Sequence, residues 1–185
     1  MLNVAKFGGT SVANFAAMQN CANIVKSNNK TKVVVVSASA GVTNLLVDIA
    51  HTAMTTEQVL AKVAQISDIQ FAILNALDNS QDVSDKLAEL LDSLKELALH
   101  EELLHRPDLK DALLSHGERL SSLLFSAVLK QNGLNAGNFD VRKVLRTDNE
   151  FGQAAPQLDE IRQLSQSLLL PELASKVLVT QGFIG

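Results

Sequence analysis

The feature that most constrains the fold is the run Lys32-Val33-Val34-Val35-Val36, which is β-branched at every position after the lysine. A strand of this kind suits burial on both faces, as in the middle of a parallel sheet. The small, hydroxyl-rich segment Ser37-Ala38-Ser39-Ala40-Gly41 ends it, and a helix is predicted to begin near Thr43-Asn44. The run therefore predicts a central strand, a ligand-accessible turn and a helix in that order.

The same order precedes this run. Val4–Phe7 predicts a short strand, Gly8-Gly9 a tight turn, and apolar residues at helical spacing from Val12 to Val25 a helix. Two strands separated by one helix favour a parallel crossover, which places both turns at the same carboxyl edge of the sheet. We expect that edge to bind the ligand.

Residues 57–131 predict an extended helical segment, with three apolar stripes interrupted near Asp78-Asn79-Ser80 and at Arg106-Pro107. Beyond it the pattern predicts strands near 136–141 and 177–180, a loop at 148–156 and a helix over 158–170. The predicted class is α/β, with an open, mostly parallel sheet and helices on both faces.

Composition excludes several classes of protein. The net charge is -4 with no basic block, and the 4% aromatic residues include neither Trp nor Tyr, so we expect no nucleic-acid partner. No apolar run could span a membrane and no secretory signal is present, so we expect a cytoplasmic protein without a membrane partner. The single cysteine, Cys21, excludes an internal disulfide or a thiolate-pair zinc site, and we predict it in the core.

A candidate phosphate site lies in Lys6-Phe7-Gly8-Gly9-Thr10-Ser11. Glycines let backbone N–H groups turn toward an anion, a helix N-terminus adds partial positive charge, and Lys6 supplies a full one. The order of these residues matches neither a Walker A loop nor a dinucleotide-binding fingerprint. The alternative is a sharp turn with an N-cap and a surface lysine, and spacing alone does not separate the two.

Two further segments carry candidate ligand groups. The hydroxyls of Ser37–Asn44 can donate to a carboxylate or phosphate, although the segment also suits a plain loop with a Thr or Asn helix cap. Gly117 is costly inside a helix, so it predicts close approach of another backbone. Glu118 beside it is either a carboxylate that holds a ligand ammonium or a surface partner of Arg119.

Other polar residues favour structural roles. His116 lies on the apolar stripe and is predicted to be a satisfied core histidine. Asp140, Arg142 and Arg146 are expected either in a solvated loop or in a local ion-pair network at the rim of the site. No residue is predicted to bind a metal.

The strings KFGGTSVANF, VVVVSASAGVTNLL, SHGERLSS, FDVRKVLRT and VTQGFIG resemble aspartate kinase in order and spacing, from Lys6 to Gly185. KFGGTSV at an N-terminus is highly specific to that enzyme. The long helical segment with SHGE is most similar to the lysine-sensitive, monofunctional type.

This resemblance implies transfer of a phosphoryl group from MgATP to the β-carboxylate of L-aspartate. It implies that Lys6 neutralises charge on the phosphoryl group, that Gly8 and Gly9 donate backbone N–H groups to its oxygens, and that Ser37 lines the same cavity. By the same resemblance the aspartate contacts are Ala38, Thr43, Glu118 for the ammonium, and Phe183 on the substrate side.

The sequence also departs from the family pattern. The family continues with a substrate-clamping arginine, an assisting aspartate, the nucleotide and magnesium pocket, and regulatory domains that bind the feedback inhibitor. We therefore expect residues 1–185 to be the N-terminal, substrate-side part of a kinase domain, inactive alone and homo-oligomeric in the full-length protein. Two alternatives stay open: a kinase of the same fold for another acid, and a non-catalytic α/β module that binds a small ligand.

Overall fold

Four parallel strands form the centre of the molecule. The computed structural model describes residues 2–78 and 80–184; Asn79, in a predicted break, and Gly185, the last residue of the VTQGFIG string, lie outside them. The strands are β1 (Asn3–Phe7), β2 (Thr31–Val36), β3 (Ala136–Asn138) and β4 (Val177–Gln181). They pair in the order β1-β2-β4-β3, and every pair is parallel. The predicted parallel α/β sheet is confirmed.

Helices make up most of the rest of the described chain. They are α1 (Phe15–Ser27), α2 (Val42–His51), α3 (Thr56–Leu74), α4 (Gln81–Ala98), α5 (Pro107–Gln131), α6 (Leu158–Leu164) and α7 (Leu170–Leu173). The three predicted stripes form α3, α4 and α5. Among the described residues no helix is both long enough and apolar enough to cross a membrane.

Both faces of the sheet are covered. In β2, Val34 and Val36 belong to a large apolar cluster shared with α1 to α5, whereas Val33 belongs to a smaller cluster on the opposite face. Leu173 of α7 and Leu178 of β4 belong to that smaller cluster as well, together with Phe139 and Val144. The alternation follows from the period of two along a strand, and it confirms helices on both faces.

The ends of two elements differ from prediction. Val12 lies in a separate 3-10 turn, Gly9–Val12, because Asn14 interrupts the helical backbone and caps α1 by accepting the Ala17 N–H at 2.9 Å. β3 ends at Asn138 rather than near 141, because the next residues form a 3-10 turn over Val141–Lys143.

The predicted helix over 158–170 extends to Leu173, with a π-helical turn at Ser165–Leu169 between α6 and α7. Pro171 accounts for the irregularity, because proline has no N–H to donate within a helix. The segment still reaches Leu173, which packs on the small cluster.

Candidate functional site

The turns that follow β1 and β2 touch each other at the carboxyl edge of the sheet. We call them the first turn (Gly8–Thr10) and the second turn (Ser37–Gly41). The Ser37 N–H donates to the Phe7 carbonyl at 3.2 Å, and the Ala40 N–H donates to the Gly9 carbonyl at 3.1 Å. The predicted meeting of the two turns is therefore present in the structure.

Gly9 is required by this contact, and Gly8 is not. A Cβ built at Gly9 would lie 2.8 Å from the Ala38 carbonyl oxygen, which is a backbone atom with little freedom to move. A Cβ at Gly8 would meet nothing within 4 Å. The two glycines therefore differ: Gly9 permits close packing of the turns, whereas Gly8 lies at an exposed position.

Helix α5 approaches the second turn closely through Gly117. A Cβ there would lie 2.8 Å from the Ala38 Cβ and 3.1 Å from the Leu46 Cδ1. The prediction of close approach is confirmed, although the nearest neighbours are side chains rather than another backbone. The missing side chain brings the following turn of α5 within hydrogen-bonding distance of the second turn.

Two side chains of α5 hold the second turn. The Glu118 Oε1 accepts the Ala38 N–H at 3.3 Å, and the Ser121 hydroxyl donates to the Ser37 carbonyl at 2.8 Å. These bonds join residues 80 and 84 positions apart in sequence. The structure thus brings together Glu118, Ser37 and Ala38, three of the predicted site residues.

The Glu118 carboxylate is partly buried, and burial raises its pKa, opposed by backbone hydrogen bonds including the one from Ala38. None of the ion pairs among residues 2–78 and 80–184 includes Glu118. Its neighbour Arg119 contacts His116 instead, with Nη1 3.2 Å from Nε2. Glu118 is therefore a partly buried acid beside the sheet edge that lacks a cationic partner in the described chain.

Lys6 and Phe183 also come together. Ala5 and Phe7 pack against the large cluster, so Lys6 between them projects to the opposite face of β1. Its Nζ lies 4.9 Å from the centroid of the Phe183 ring. Phe183 is 84% exposed and has a φ of 63°, a backbone conformation rare for residues with a Cβ.

Thr43 lies apart from the hydrogen-bonded site residues, and two expectations about the helices at this edge are wrong. Thr43 is exposed in the first turn of α2, and no hydrogen bond among the described residues joins its side chain to the other predicted site residues. Gly41, with a φ of 87°, is the N-cap of α2, so the expected Thr or Asn cap is wrong. The helix at the first turn is only the four-residue 3-10 segment Gly9–Val12, so its dipole is weaker than expected.

His116 is a core residue, as predicted, with 1% of its surface exposed. Its Nδ1 lies 2.9 Å from the Ala112 carbonyl and its Nε2 3.3 Å from the Ser93 hydroxyl. Burial, with the nearby Arg119 charge, lowers the pKa of His116 to about 4. The imidazole is therefore neutral near pH 7 and serves packing rather than proton transfer.

The loop after β3 contains an ion pair. Arg142 binds Asp140 through Nε at 2.9 Å and Nη2 at 2.6 Å, and both side chains are partly exposed. Arg146 forms no ion pair with Asp140; its Nη1 donates to the Arg142 carbonyl at 3.0 Å, and its Nε lies 3.8 Å from Glu160. The predicted core position of Cys21 is confirmed, with its thiol 3.2 Å from the Ser11 carbonyl.

Sequence reasoning missed Ser121 and Gln181. Ser121 holds the second turn, and Gln181 is the last residue of β4, one position beyond the strand predicted near 177–180. Both are polar residues within otherwise apolar, buried segments. A polar residue in such a segment was the one sequence feature that could have indicated a structural hydrogen bond. Their partners lie far away in sequence, so the pattern did not identify them.

Residues 1–185 match the family model described as the amino acid kinase family. The chain belongs to the amino acid kinase family. It is 44% identical to the lysine-sensitive aspartokinase 3 of Escherichia coli over 182 residues, which is 98% of this chain and 40% of that protein. Over 57 residues, 31% of this chain and 47% of the relative, it is 63% identical to an aspartokinase 3 homologue of Haemophilus influenzae that is named as inactive.

Solved structures show the same family fold. The chain superposes on E. coli aspartokinase III, in complex with aspartate and ADP, with a TM-score of 0.93 and 42% identity. The match covers 99% of this chain and 41% of that one. This amino acid kinase chain thus spans about two fifths of the length of the aspartokinases it matches.

We predict that Gly9→Ala destabilises the fold and that Gly8→Ala does not. The added Cβ at Gly9 meets backbone at 2.8 Å, and forced overpacking costs about 1–3 kcal/mol. Chemical denaturation of both variants measures the difference, with Gly8→Ala as the matched control. Equal free energies of unfolding for the two variants would contradict the packing assigned to Gly9.

His116 is predicted to make the fold acid-sensitive. The unfolded imidazole takes up a proton below about pH 6.5, whereas the folded one does so only near a pKa of about 4. Acidification across that window therefore favours unfolding, by about 3 kcal/mol at 1.36 kcal/mol per pH unit. Denaturation curves at several pH values should show a smaller loss for His116→Asn.

The same substitution at His51, which is exposed, serves as the control and should leave the acid-dependent loss in place. An unchanged pH dependence in His116→Asn would remove His116 as its source.

Proposed function

We propose that this chain forms the aspartate-binding side of an aspartokinase active site. The reaction transfers a phosphoryl group from ATP to the β-carboxylate of L-aspartate and gives 4-phospho-L-aspartate. In this proposal residues 1–185 are the N-terminal, substrate-side part of an amino acid kinase domain. The nucleotide-binding half and the regulatory domains belong to residues outside this chain, in line with the length of the aspartokinase relatives.

The observation that carries the proposal is the unpaired carboxylate of Glu118. A partly buried acid without a cation is unfavourable, because burial removes part of its hydration and no neighbouring charge compensates. A ligand ammonium supplies that charge. L-aspartate brings an ammonium together with two carboxylates, and the neighbouring turns offer hydroxyl and backbone donors.

Lys6 is proposed to act on the transferring phosphoryl group. Its exposed ammonium at the end of β1 can neutralise negative charge as two anions approach each other. The N–H groups of Gly8 and Gly9 at the start of a helical turn lack intrahelical partners and can donate to phosphoryl oxygens. Ser37 and Ala38, held against α5, line the same cavity in this proposal.

Thr43 and Phe183 are assigned to the substrate side. Thr43 is exposed at the start of α2, close in sequence to the second turn, so its hydroxyl is accessible to a ligand. Phe183 emerges just after β4, and its ring already lies against the Lys6 ammonium. Both assignments follow the motif positions of the aspartokinase family.

Mg²⁺ would supply positive charge that neutralises the phosphates of ATP. The described residues do not fit this ion, because no group of three or more His, Cys, Asp or Glu side chains among them could hold a metal. We therefore assign most of the MgATP site to residues outside this chain.

For the whole protein we propose a cytoplasmic, homo-oligomeric enzyme that catalyses the first step toward lysine, threonine and methionine. Within the described sheet, β1 lies at an edge and Val4 on it is 61% exposed. Uncovered strand edges and apolar side chains favour association with further polypeptide.

We predict that Glu118→Gln weakens L-aspartate binding but not succinate binding. The amide retains an oxygen for the Ala38 N–H and removes the charge that would attract an ammonium, which succinate lacks. NMR titration of the isotope-labelled chain should give an L-aspartate dissociation constant at least about tenfold higher, since a charge-assisted hydrogen bond contributes about 1.5–3 kcal/mol. The Ala38 amide resonance reports on the site directly.

Glu89→Gln, at an exposed glutamate of α4, is the matched control and should bind both acids as the unmodified chain does. Equal weakening of L-aspartate and succinate binding by Glu118→Gln would mean that Glu118 does not hold an ammonium. Tighter binding of L-glutamate or acetylglutamate than of L-aspartate would favour a kinase for another acid.

Lys6→Ala should abolish most turnover in a chimera in which this chain replaces the 182 aligned residues of the E. coli aspartokinase 3. Loss of a cation that stabilises transition-state charge typically lowers the rate by about a hundredfold or more. ATP-dependent formation of aspartyl phosphate, trapped as its hydroxamate, measures the rate.

Lys30→Ala, an exposed lysine before β2, is the control and should leave turnover unchanged. Activity of Lys6→Ala within a few-fold of the unmodified chimera would remove Lys6 from the mechanism. An inactive chimera that still binds L-aspartate would favour the non-catalytic binding module. This outcome is worth testing because the H. influenzae homologue is named as inactive.

A further inference from the structure

Gln181 lies where four elements meet beneath the candidate site. It is the last residue of β4 and only 4% exposed. Its Oε1 accepts the Val141 N–H at 2.8 Å, and its Nε2 donates to the Ser122 hydroxyl at 2.7 Å and to the Asn138 Oδ1 at 3.3 Å. One amide therefore bonds the end of β3, the turn that follows it, and α5.

These contacts determine the orientation of the amide. Nε2 uses both of its hydrogens. Oε1 accepts the Val141 N–H, which can only donate. Reversing the amide would place two N–H groups against each other at Val141. A buried amide that is satisfied in only one orientation holds its neighbours in a defined arrangement.

The partners of Gln181 lead directly to the residues of the site. Ser122 lies one helical turn after Glu118 on α5. Gly182 and Phe183 follow Gln181 directly in the chain. The Gly182 N–H donates to the Val36 carbonyl at 3.0 Å. Gln181 thus links the helix that carries Glu118 to the strand end that carries Phe183.

We propose that Gln181 is a positioning residue for the aspartate site: its amide sets the location of Glu118 relative to Phe183. The inference rests on the proposed function of the site. Gln181 does not touch the ligand, because its polar atoms are buried and already bonded to protein. Its effect on binding comes entirely through the elements that it joins.

The test compares three variants of the 185-residue chain. Gln181→Met keeps the length of the side chain and removes all three hydrogen bonds. Ser122→Ala removes one of these three bonds, together with the bond from the Ser122 hydroxyl to the Arg119 carbonyl at 3.1 Å. Ser126→Ala is the matched control, because Ser126 is also a buried serine of α5 that donates to the carbonyl three residues earlier, but it does not contact Gln181.

NMR titration with L-aspartate is carried out well below the unfolding temperature, so that each variant is fully folded and a loss of stability alone does not alter affinity. We expect the dissociation constant to rise about tenfold in Gln181→Met and about threefold in Ser122→Ala, in keeping with the loss of three and of one hydrogen bond. Ser126→Ala should stay within about twofold of the unmodified chain. Hydrogen exchange of the Val141 amide should accelerate only in Gln181→Met.

An L-aspartate affinity in Gln181→Met within about twofold of the unmodified chain, with faster Val141 exchange, would overturn the inference, since the amide would then hold the turn without influencing the site. Unchanged Val141 exchange would overturn it as well. If Gln181→Met does not fold, Ser122→Ala compared with Ser126→Ala decides. Absence of L-aspartate binding by the unmodified chain would instead overturn the proposed function, and this inference with it.

Discussion

The hydrogen bond between the Glu118 carboxylate and the Ala38 N–H joins the longest helix of the chain to the turn after its central strand. It depends on Gly117, because any side chain there would collide with Ala38 and Leu46. Two further contacts at the carboxyl edge of the sheet lie beside this hydrogen bond. Ser121 holds Ser37, and the first turn packs on the second through Gly9. A partly buried carboxylate at this junction leaves a charge that no ion pair within residues 2–78 and 80–184 neutralises.

The sheet makes this arrangement available. Because β1 and β2 are parallel neighbours, the turns that follow them lie at the same edge of the sheet. The two apolar clusters fix β2 from both faces, so the second turn begins from a strand with little freedom. The site is therefore built from backbone positions that the core determines, and α5 adds the carboxylate.

Much of this could be predicted from local patterns. The valine run indicated a buried central strand, the glycines indicated turns, and helical periodicity indicated α3, α4 and α5, because each of these signals lies within a few residues of the element that it predicts. The motif strings supplied the site residues only through resemblance. His116 was placed correctly because a lone histidine in an apolar stripe is usually packed.

The rest depended on contacts between distant residues. Nothing local to Gln181 reveals that Ser122, 59 positions earlier, accepts its amide hydrogen. Strand β3 ended early and α1 began late because the side chains of Asp140 and Asn14 bond to nearby backbone, which competes with regular structure. Periodicity records where apolar residues recur, and it does not record such competition.

The contact between Gly9 and the Ala38 carbonyl has a consequence for protein engineering. Since the first turn packs on the second through Gly9, where no Cβ fits beside the Ala38 carbonyl, a library that varies Gly9 would mainly sample destabilised chains. Thr43 and Phe183 are exposed and lie outside the turn-to-turn contact. In the proposed site, a search for altered acid preference is best directed at those two positions, with Gly9 kept unchanged.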